Sequence, residues 1–314
     1  MEFQRLGHIF DPDEHNNIGE FAQSPQLLEF NDFVRIYFST RYRDIKDKYI
    51  SYVAYVDMNK ELNKVLSVSN FEIIKKGNLG CYDEHGIFPF NVIRNGKKLF
   101  GFIGGWNRRI SVDVETAIGL SISEDDGKTF IRIGDGPVLS PTLNEPFMVG
   151  DPFVLKTEKG YDMWYIYGVR WINNPRNNVK ERVYKIGHAT SNNAIDWVKT
   201  NKQLIPDLLG ENECQALPSV VFHDNNYHMV YCYREAFDFR ENREAGYRLG
   251  YAISKDGLSW NRQDDELKLI GEELDWESEM KCYPHLAKIE NEVYLFYNGN
   301  KFGKRGFGAA KLKS

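Results

Sequence analysis

Five prolines recur at nearly constant intervals along the chain, and this repeat constrains the fold more than any other feature of the sequence. Successive members lie 64, 63, 66 and 66 residues apart, and they are Pro25, Pro89, Pro152, Pro218 and Pro284. An apolar run, a polar turn and an aromatic-rich run follow each proline, as in "DPFVLKTEKGYDMWYIYG". Two such runs joined by a short polar turn predict a β-hairpin. The chain therefore contains five copies of one hairpin.

A second pattern lies between the hairpins. The segments "IGLSISEDDGKTFIRI" from Ile118, "IGHATSNNAIDWVKT" from Ile186 and "LGYAISKDGLSWNRQ" from Leu249 each show a small-residue strand, a serine, a tight turn and a short second strand, and "YISYVAYVDMNKELNKV" from Tyr49 is a looser version. Each repeat thus holds four strands. The sequence predicts an all-β fold, a five-bladed β-propeller with four-stranded blades, as a single domain over residues 1–314.

The two ends of the chain fit the same plan. The C-terminal "GKRGFGAAKLKS" resembles the small-residue strand of a fifth blade, and the N-terminal "EFQRLGHIF" can supply the strand that this blade lacks. Pairing the termini within one blade would remove two exposed sheet edges. We therefore expect the termini to close one blade.

Composition narrows the function classes. The net charge of −5 comes from interspersed acidic and basic residues, which argues against nucleic acid as a partner because no basic patch stands out. No apolar run approaches the roughly 18 residues of a membrane span, so we expect no membrane partner. The four cysteines show no CxxC spacing and are expected to be free thiols, which indicates a cytoplasmic protein. The oligomeric state is left open.

The repeat allows equivalent positions to be compared within one sequence. The residues directly before the prolines are Ser24, Phe88, Asp151, Leu217 and Tyr283. Only Asp151 is charged, and a carboxylate near a crowded axis costs desolvation unless it is used or paired. Asp151 is therefore a candidate catalytic residue. The alternative is an aspartate that caps its own turn.

Five residues before each proline, four of the five repeats carry glutamate. The residues there are Glu20, Glu84, Phe147, Glu213 and Glu279. A ring of carboxylates around a channel mouth would raise the pKa of each member and so supply general acids. The alternative is that these turns point outward into solvent.

The second hairpin strand should end at the same mouth. Its polar and aromatic residues, together with neighbours of the prolines, form our predicted substrate-binding set, which comprises Glu20, Gln23, Arg41, Asp83, Glu84, Trp106, Arg170, Arg234, Tyr283, His285 and Asn300. Acids, arginines, amides and aromatic rings at one mouth are typical of a carbohydrate pocket, and a rim of mutual salt bridges is the alternative. The histidines lack the spacing of a metal site, so we predict no metal and no cofactor.

At this point the sequence resembles a known group, the five-bladed β-propeller glycosidase superfamily, which includes glycoside hydrolase families 43, 32, 62 and 68 and the family 130 phosphorylases. The resemblance rests on five repeats, on the "DP" at Asp151 and on the "NEC" around Glu213. It implies that Asp151 tunes or stabilises and that Glu213 is the general acid. The first repeat departs from the group, because "AQSP" places Gln23 and Ser24 where those enzymes carry an aspartate.

A narrower resemblance follows from three segments. Together "AQSP", "DWESEMKCYPHL" and "YNGNKFGKRGFGAA" resemble an intracellular branch of that superfamily that is associated with surface-polysaccharide genes. The resemblance implies a part in polysaccharide metabolism.

These observations lead to one main functional hypothesis and its alternatives. The main hypothesis is a glycoside hydrolase-like enzyme that acts on a glycosidic bond of a carbohydrate or sugar phosphate, with Asp151, Glu213 and Glu279 as its catalytic residues. A missing base would have to be recruited from Glu20, Asp83, Glu84 or Glu279. A phosphorylase or transferase needs no such base, because phosphate can attack directly. A non-catalytic sugar-binding propeller and a purely structural propeller remain open.

Overall fold

The computed structural model describes residues 1–313, and β-strands dominate it. The first ten strands are β1 (Glu2–Phe10), β2 (Glu20–Glu29), β3 (Val34–Arg43), β4 (Tyr49–Met58), β5 (Val65–Val68), β6 (Gly86–Asn95), β7 (Lys98–Arg108), β8 (Val114–Ser123), β9 (Ile131–Arg132) and β10 (Val149–Thr157). The others are β11 (Gly160–Asn173), β12 (Lys180–Ser191), β13 (Val198–Lys199), β14 (Cys214–His223), β15 (Asn226–Arg234), β16 (Arg248–Ser254), β17 (Trp260–Arg262), β18 (Lys268–Ile270), β19 (Cys282–Ile289), β20 (Glu292–Asn298) and β21 (Phe307–Leu312).

Helical structure takes the form of short turns between the strands. Four of these turns are 3₁₀ segments and one is a single α-type turn, at Pro12–Glu14, Arg243–Ala245, Asp264–Glu266, Asp275–Glu277 and Asn300–Gly303. Within residues 1–313, none of the helical segments has the length and apolarity that a membrane crossing requires. The four cysteines are free thiols.

The strands form four-stranded antiparallel sheets, as the repeat predicts. Two sheets are β10-β11-β12-β13 and β14-β15-β16-β17. The strands β2 to β5 and β6 to β9 form two further groups of four, which a parallel bridge between Ser51 and Gly86 joins into one larger sheet. Within each group the hairpin comes first and the small-residue strand third. The predicted all-β class and four-stranded sheets are therefore confirmed.

The last sheet contains both ends of the chain. It follows the order β18-β1-β21-β20-β19, and β1 pairs antiparallel with β21 from Phe3 opposite Leu312 to Phe10 opposite Phe307. The N-terminal strand therefore covers the edge that the C-terminal strand would otherwise expose, and the predicted pairing of the termini is present. A short parallel strand, β18, then pairs with the other side of β1.

The first strands of the five groups lie side by side around a common channel. Strand β2 contacts β6, β6 contacts β10, β10 contacts β14, β14 contacts β19, and β19 contacts β2. Five hydrophobic clusters fill the spaces between neighbouring groups, and the cluster around Phe38 and Phe296 spans the first and last. The contacts and the clusters both form a closed cycle, so each of the five groups packs against two neighbouring groups.

The repeated prolines mark a bulge in each of these five inner strands. In every hairpin the pairing register skips the proline and the residue before it, for example between Gly150 and Phe153 in β10. The preceding residue has a positive φ in four strands, at Ser24, Asp151, Leu217 and Tyr283, and in the remaining strand Phe88 precedes Pro89 through a cis peptide bond. The five positions share the skip in the pairing register, and four of them also share the positive φ. A non-glycine residue costs about 1 kcal/mol or more in the left-handed region, so the surrounding sheet must hold this bulge.

The serines that recur between third and fourth strands stabilise tight turns. Each side-chain oxygen accepts a hydrogen bond from a backbone N–H three or four residues later, at distances of 2.8 to 2.9 Å, in the pairs Ser123–Gly127, Ser191–Ala194 and Ser254–Gly257. These hydrogen bonds replace backbone pairing that the turn cannot provide. The repeated serine is therefore a turn residue rather than a member of a site.

The role of β1 in closing the ring can be tested by shortening a side chain in it. Phe3 is fully buried between the fourth and fifth groups, whereas Leu6 on the same strand is 44% exposed. We expect Phe3→Ala to lower the free energy of unfolding by about 3–5 kcal/mol, and Leu6→Ala to change it by less than about 0.5 kcal/mol. Chemical denaturation of the two variants measures this difference. Equal, small effects would contradict the closure by β1.

Candidate functional site

A cavity of about 320 Å³ lies at the end of the channel where the inner strands begin. Strands of the first four groups contribute to its wall, and β19 and the loop between β15 and β16 complete it. Three of the five equivalent positions before the prolines line it, namely Phe88, Asp151 and Tyr283. The bulges therefore bring side chains from different groups into one space, as an asymmetric ligand requires.

Asp151 is the most perturbed acidic group in this cavity. Its side chain is 8% exposed, and Oδ2 accepts a hydrogen bond of 3.2 Å from the backbone N–H of Leu217. Burial raises the pKa of Asp151 to about 7, although that hydrogen bond and the charge of Arg182 act in the opposite direction. A carboxyl group with a pKa near the working pH can hold and release a proton in a reaction.

Three arginines line the same cavity. Arg240 pairs with Glu181 at 3.3 Å, and Arg41 donates to the amide oxygen of Gln23 at 2.5 Å. The guanidinium of Arg182 has no hydrogen-bond or ion-pair partner among residues 1–313. Asp113, which is exposed, is the second carboxyl group in the lining. With Asp151 protonated, the cavity carries an excess of positive charge and favours an anionic group.

Gln23 holds Arg41 in place. Its amide nitrogen donates to the backbone carbonyl of Phe302 at 2.5 Å while its amide oxygen accepts from Arg41. Burial, together with the nearby charge of Arg240, lowers the pKa of Arg41 below its ordinary value. A carboxylate at position 23 would form an ion pair with Arg41. The glutamine therefore leaves the charge of Arg41 available to a ligand.

Aromatic side chains form the rest of the wall. Tyr283 packs edge-on against Phe88 at 5.2 Å and against Tyr247 at 5.7 Å between ring centroids. The hydroxyls of Tyr184 and Tyr247 lie 2.6 Å apart, and Trp106 donates its indole N–H to Ser51 at 2.6 Å. Flat apolar faces with polar groups between them are the usual surroundings of a sugar ring.

The structure does not bring Glu213 to this cavity. Glu213 is fully buried, where its carboxylate pairs with Arg262 at 2.7 Å and accepts hydrogen bonds from the backbone N–H groups of Leu208 and Leu209 and from Gln215. Burial alone would raise the pKa of Glu213, but these hydrogen bonds outweigh it, so the pKa is lowered. A carboxylate held in this way is a poor proton donor and has a structural role.

The other predicted acidic residues also lie outside the cavity lining. Asp83 is fully buried and pairs with Arg132, and burial raises the pKa of Asp83. Glu20 is exposed and accepts a hydrogen bond from Tyr49 at 3.0 Å. Glu84 accepts from the backbone of Gly80, and Glu279 is exposed. The four glutamates of the repeat therefore do not form one ring.

Three predicted binding residues support neighbouring segments instead of lining the cavity. Arg170 bonds to the loop residues Glu211 and Asn212. Asn300 accepts from the backbone N–H groups of Glu279 and Met280. Arg234 is 1% exposed and lies behind the cavity wall, where it donates to the hydroxyl of Tyr184 at 3.0 Å.

His285 belongs to the opposite end of the channel. It is buried and lines a separate cavity of about 540 Å³ formed by the later residues of the inner strands, most of them apolar. Burial lowers the pKa of His285 to about 3, so the ring is neutral. The charged residues in the lining of that cavity are Glu29, Lys156 and Lys288. Among residues 1–313, this lining has neither a buried carboxyl group nor an arginine, which makes the first cavity the better candidate for chemistry.

Several lining residues are absent from the set that the sequence predicts. Arg182 and Tyr184 lie two residues apart at the start of β12, and Thr116 lies near the start of β8. The small-residue pattern begins only at Ile118 and Ile186, so it leaves out the first residues of these strands. The alternate residues Arg182, Tyr184 and Ile186 lie on one face of β12, and this period of two could have extended the predicted strand back to Arg182. Arg240 and Tyr247 lie on an irregular loop, where no periodicity marks them.

Comparison with other sequences finds relatives that match along their whole length. Two of them are uncharacterized proteins of Mycobacterium tuberculosis, MT1551 (strain CDC 1551 / Oshkosh) and Rv1502 (strain ATCC 25618 / H37Rv). Each is 27% identical to this chain over 322 residues, and each alignment covers 100% of this chain and 100% of the relative. No family model matches the sequence.

Comparison with solved structures defines the class of fold. A BT0996 complex with RGII superposes with a TM-score of 0.73 at 15% identity, over 99% of this protein and 91% of that one. A β-1,2-mannobiose phosphorylase from Listeria innocua gives 0.67 at 12% identity, over 97% and 94%. A GH43_1 enzyme from Xanthomonas citri with xylotriose gives 0.63 at 12% identity, over 98% and 90%. The chain shares its fold with these three structures, and at these identities the likeness concerns the fold alone.

The placement of Glu213 leads to a direct test. Removing one partner of a buried ion pair leaves the other charge uncompensated, so we expect Glu213→Gln to lower the free energy of unfolding by about 3 kcal/mol. The exposed Glu279→Gln is the matched control and should change it by less than about 0.5 kcal/mol. Denaturant titration gives both values. Unchanged stability in the Glu213 variant would reopen its assignment as a catalytic acid.

Proposed function

We propose that residues 1–314 form one domain, a five-bladed β-propeller in which the fifth blade is closed by the N-terminal strand. The closed cycle of contacts among the five inner strands supports this count, and so do the five clusters between neighbouring groups. The four free thiols support a reducing compartment such as the cytoplasm.

We propose that the cavity around Asp151 binds a carbohydrate together with an anionic group, which is either part of the sugar or a separate phosphate ion. We propose further that the protein acts on a glycosidic bond there. The observation that carries this proposal is a buried carboxyl group with a pKa of about 7 in a cavity lined by three arginines. Aromatic rings supply stacking faces for the sugar. Among the solved structures of similar fold are glycoside hydrolases and a phosphorylase, which supports the same class of reaction.

Asp151 is proposed as the proton donor. In its neutral form it would protonate the bridging oxygen as the glycosidic bond breaks, which leaves Asp151 as a carboxylate and releases the leaving group as an alcohol. Two carboxyl groups about 5 to 10 Å apart carry out most glycoside hydrolysis. Glu213 and Glu279 do not line this cavity, so the usual pairing is not supplied by the predicted residues.

Phosphorolysis fits this set of groups better than hydrolysis does. A phosphate ion needs no protein base, because its own oxygen can form the new bond to the anomeric carbon. Dihydrogen phosphate would give a glycosyl phosphate, and its surplus proton returns to Asp151, which balances the reaction. The guanidinium of Arg182, free of any protein partner among residues 1–313, is suited to hold the phosphate.

Hydrolysis and simple binding are the second candidates. Asp113 is the one further carboxyl group in the lining, and it could activate a water molecule if hydrolysis operates. The glutamine at position 23, where the related enzymes carry an aspartate, favours a non-catalytic sugar-binding propeller. Each alternative predicts a different response to substitution.

The test is to follow bond cleavage in a panel of disaccharides and aryl glycosides, with and without orthophosphate. We expect cleavage to depend on orthophosphate and to fall as the pH rises through about 7, because the neutral form of Asp151 is required. Asp151→Asn should reduce turnover about 10²- to 10⁴-fold with little change in substrate affinity.

Asp113→Asn is the control that separates the mechanisms. This substitution should leave phosphorolysis largely intact. If the enzyme instead hydrolyses the bond with Asp113 as base, both Asp113→Asn and Asp151→Asn should lose activity. Wild-type turnover in Asp151→Asn would contradict the proposed role. Sugar binding without cleavage under any condition would favour the binding propeller.

A further inference from the structure

Arg234 is a buried cation without a carboxylate partner among residues 1–313. It is 1% exposed, and its guanidinium donates to the backbone carbonyls of Glu235 and Ala236 at 2.7 and 3.3 Å and to the hydroxyl of Tyr184 at 3.0 Å. The guanidinium also stacks on Phe239 at 3.5 Å. Burying an arginine without an ion pair is costly, and packing alone does not require a charge at this position.

The hydroxyls next to Arg234 belong to two cavity-lining tyrosines. The hydroxyl oxygens of Tyr184 and Tyr247 lie 2.6 Å apart, and both residues line the cavity. Burial is the main cause that raises the pKa of Tyr184 and of Tyr247 above the ordinary value, so both hydroxyls keep their hydrogens. The pair therefore places two protonated hydroxyls between Arg234 and the residues of the cavity wall.

The two hydroxyls and Arg234 together have one more O–H donor than their mutual hydrogen bonds use. A guanidinium can only donate, so neither hydroxyl hydrogen can point at Arg234. One hydrogen bridges the two oxygens, and the other has no acceptor among residues 1–313. Arg234 donates to Tyr184, and either hydroxyl of the pair can donate to the other, so the pair as a whole keeps one O–H that can turn to a ligand. Bonds in such a chain strengthen one another.

We propose that the hydroxyl pair of Tyr184 and Tyr247, polarised by Arg234, is a donor site for an oxygen of a phosphate group in the cavity. Arg234 acts as a positioning residue, because it does not line the cavity and works through the tyrosines. Arg182 and Arg240 on the same wall supply the charge, and the tyrosine pair supplies direction. This inference rests on the proposed function for the identity of the site, but it concerns binding and can be tested without turnover.

A phosphate group could reach this site in two forms, either as free orthophosphate or as part of a phosphorylated sugar. Isothermal titration of the wild type with orthophosphate, with glucose 6-phosphate and with neutral glucose separates them. Tighter binding of the sugar phosphate than of orthophosphate assigns the site to the substrate's own phosphate. Equal binding of both assigns it to free phosphate. Absence of binding by both overturns the inference.

The variants address the donor chain itself. We expect the double variant Tyr184→Phe/Tyr247→Phe to bind orthophosphate about 10- to 100-fold more weakly, since it removes the directed donor to a charged group. Arg234→Met should weaken binding in the wild-type background but not in the double variant, because its effect passes through the hydroxyls. Arg234→Lys should restore part of the loss. Tyr161→Phe, which removes a hydroxyl that donates to Asn95 at 2.9 Å far from the cavity, is the matched control and should bind normally.

The outcomes distinguish this inference from the proposed function. Unchanged orthophosphate affinity in the double tyrosine variant would overturn the donor site even if glycosides are cleaved. Weakened phosphate binding in that variant would support the site even if no glycoside is cleaved. Additive losses from Arg234→Met and the double variant would show that Arg234 acts on the cavity by another route.

Discussion

The bulge before each repeated proline is the constraint on which the rest of the structure depends. It turns the residue before the proline out of the sheet at the start of every inner strand, and three of these residues, Phe88, Asp151 and Tyr283, line one cavity. In β10 that residue is Asp151, whose burial raises its pKa to about 7. Between its ordinary value of 3.8 and about 7, the folded chain holds a proton that the unfolded chain has released. Stability therefore falls as the pH rises through that window.

The cavity differs from a symmetric channel because neighbouring repeats place different side chains at equivalent positions. Leu217, the counterpart of Asp151 in β14, donates its backbone N–H to the Asp151 carboxylate and buries its own side chain. Phe88 and Tyr283 offer aromatic faces at the corresponding places. One repeat thus supplies the acid, another the hydrogen bond to it, and others the walls.

The sequence was sufficient to predict the all-β class and the four-stranded sheets, but only part of the cavity lining. Even proline spacing and the small-residue strands predict the hairpins and the third strands, because these depend on local patterns. The pairing of β1 with β21 is predicted because the last repeat lacks a strand that the N-terminal segment can supply. Of the predicted residues, Arg41, Trp106, Asp151 and Tyr283 line the cavity. Glu213 does not, because a shared offset before proline says nothing about direction, and Arg262 from a later strand captures its carboxylate. Arg240 and Tyr247 come from an irregular loop that no pattern marks.

The central claim is that Asp151 carries a titrating proton in the cavity at neutral pH. Carboxyl-carbon NMR of aspartate-labelled protein, with Asp151→Asn to assign the signal, measures this titration directly. We predict a midpoint near pH 7 for Asp151. A midpoint near the ordinary value of about 4 would mean that the carboxyl is solvated or paired, and it would remove the proton donor from the proposed reaction.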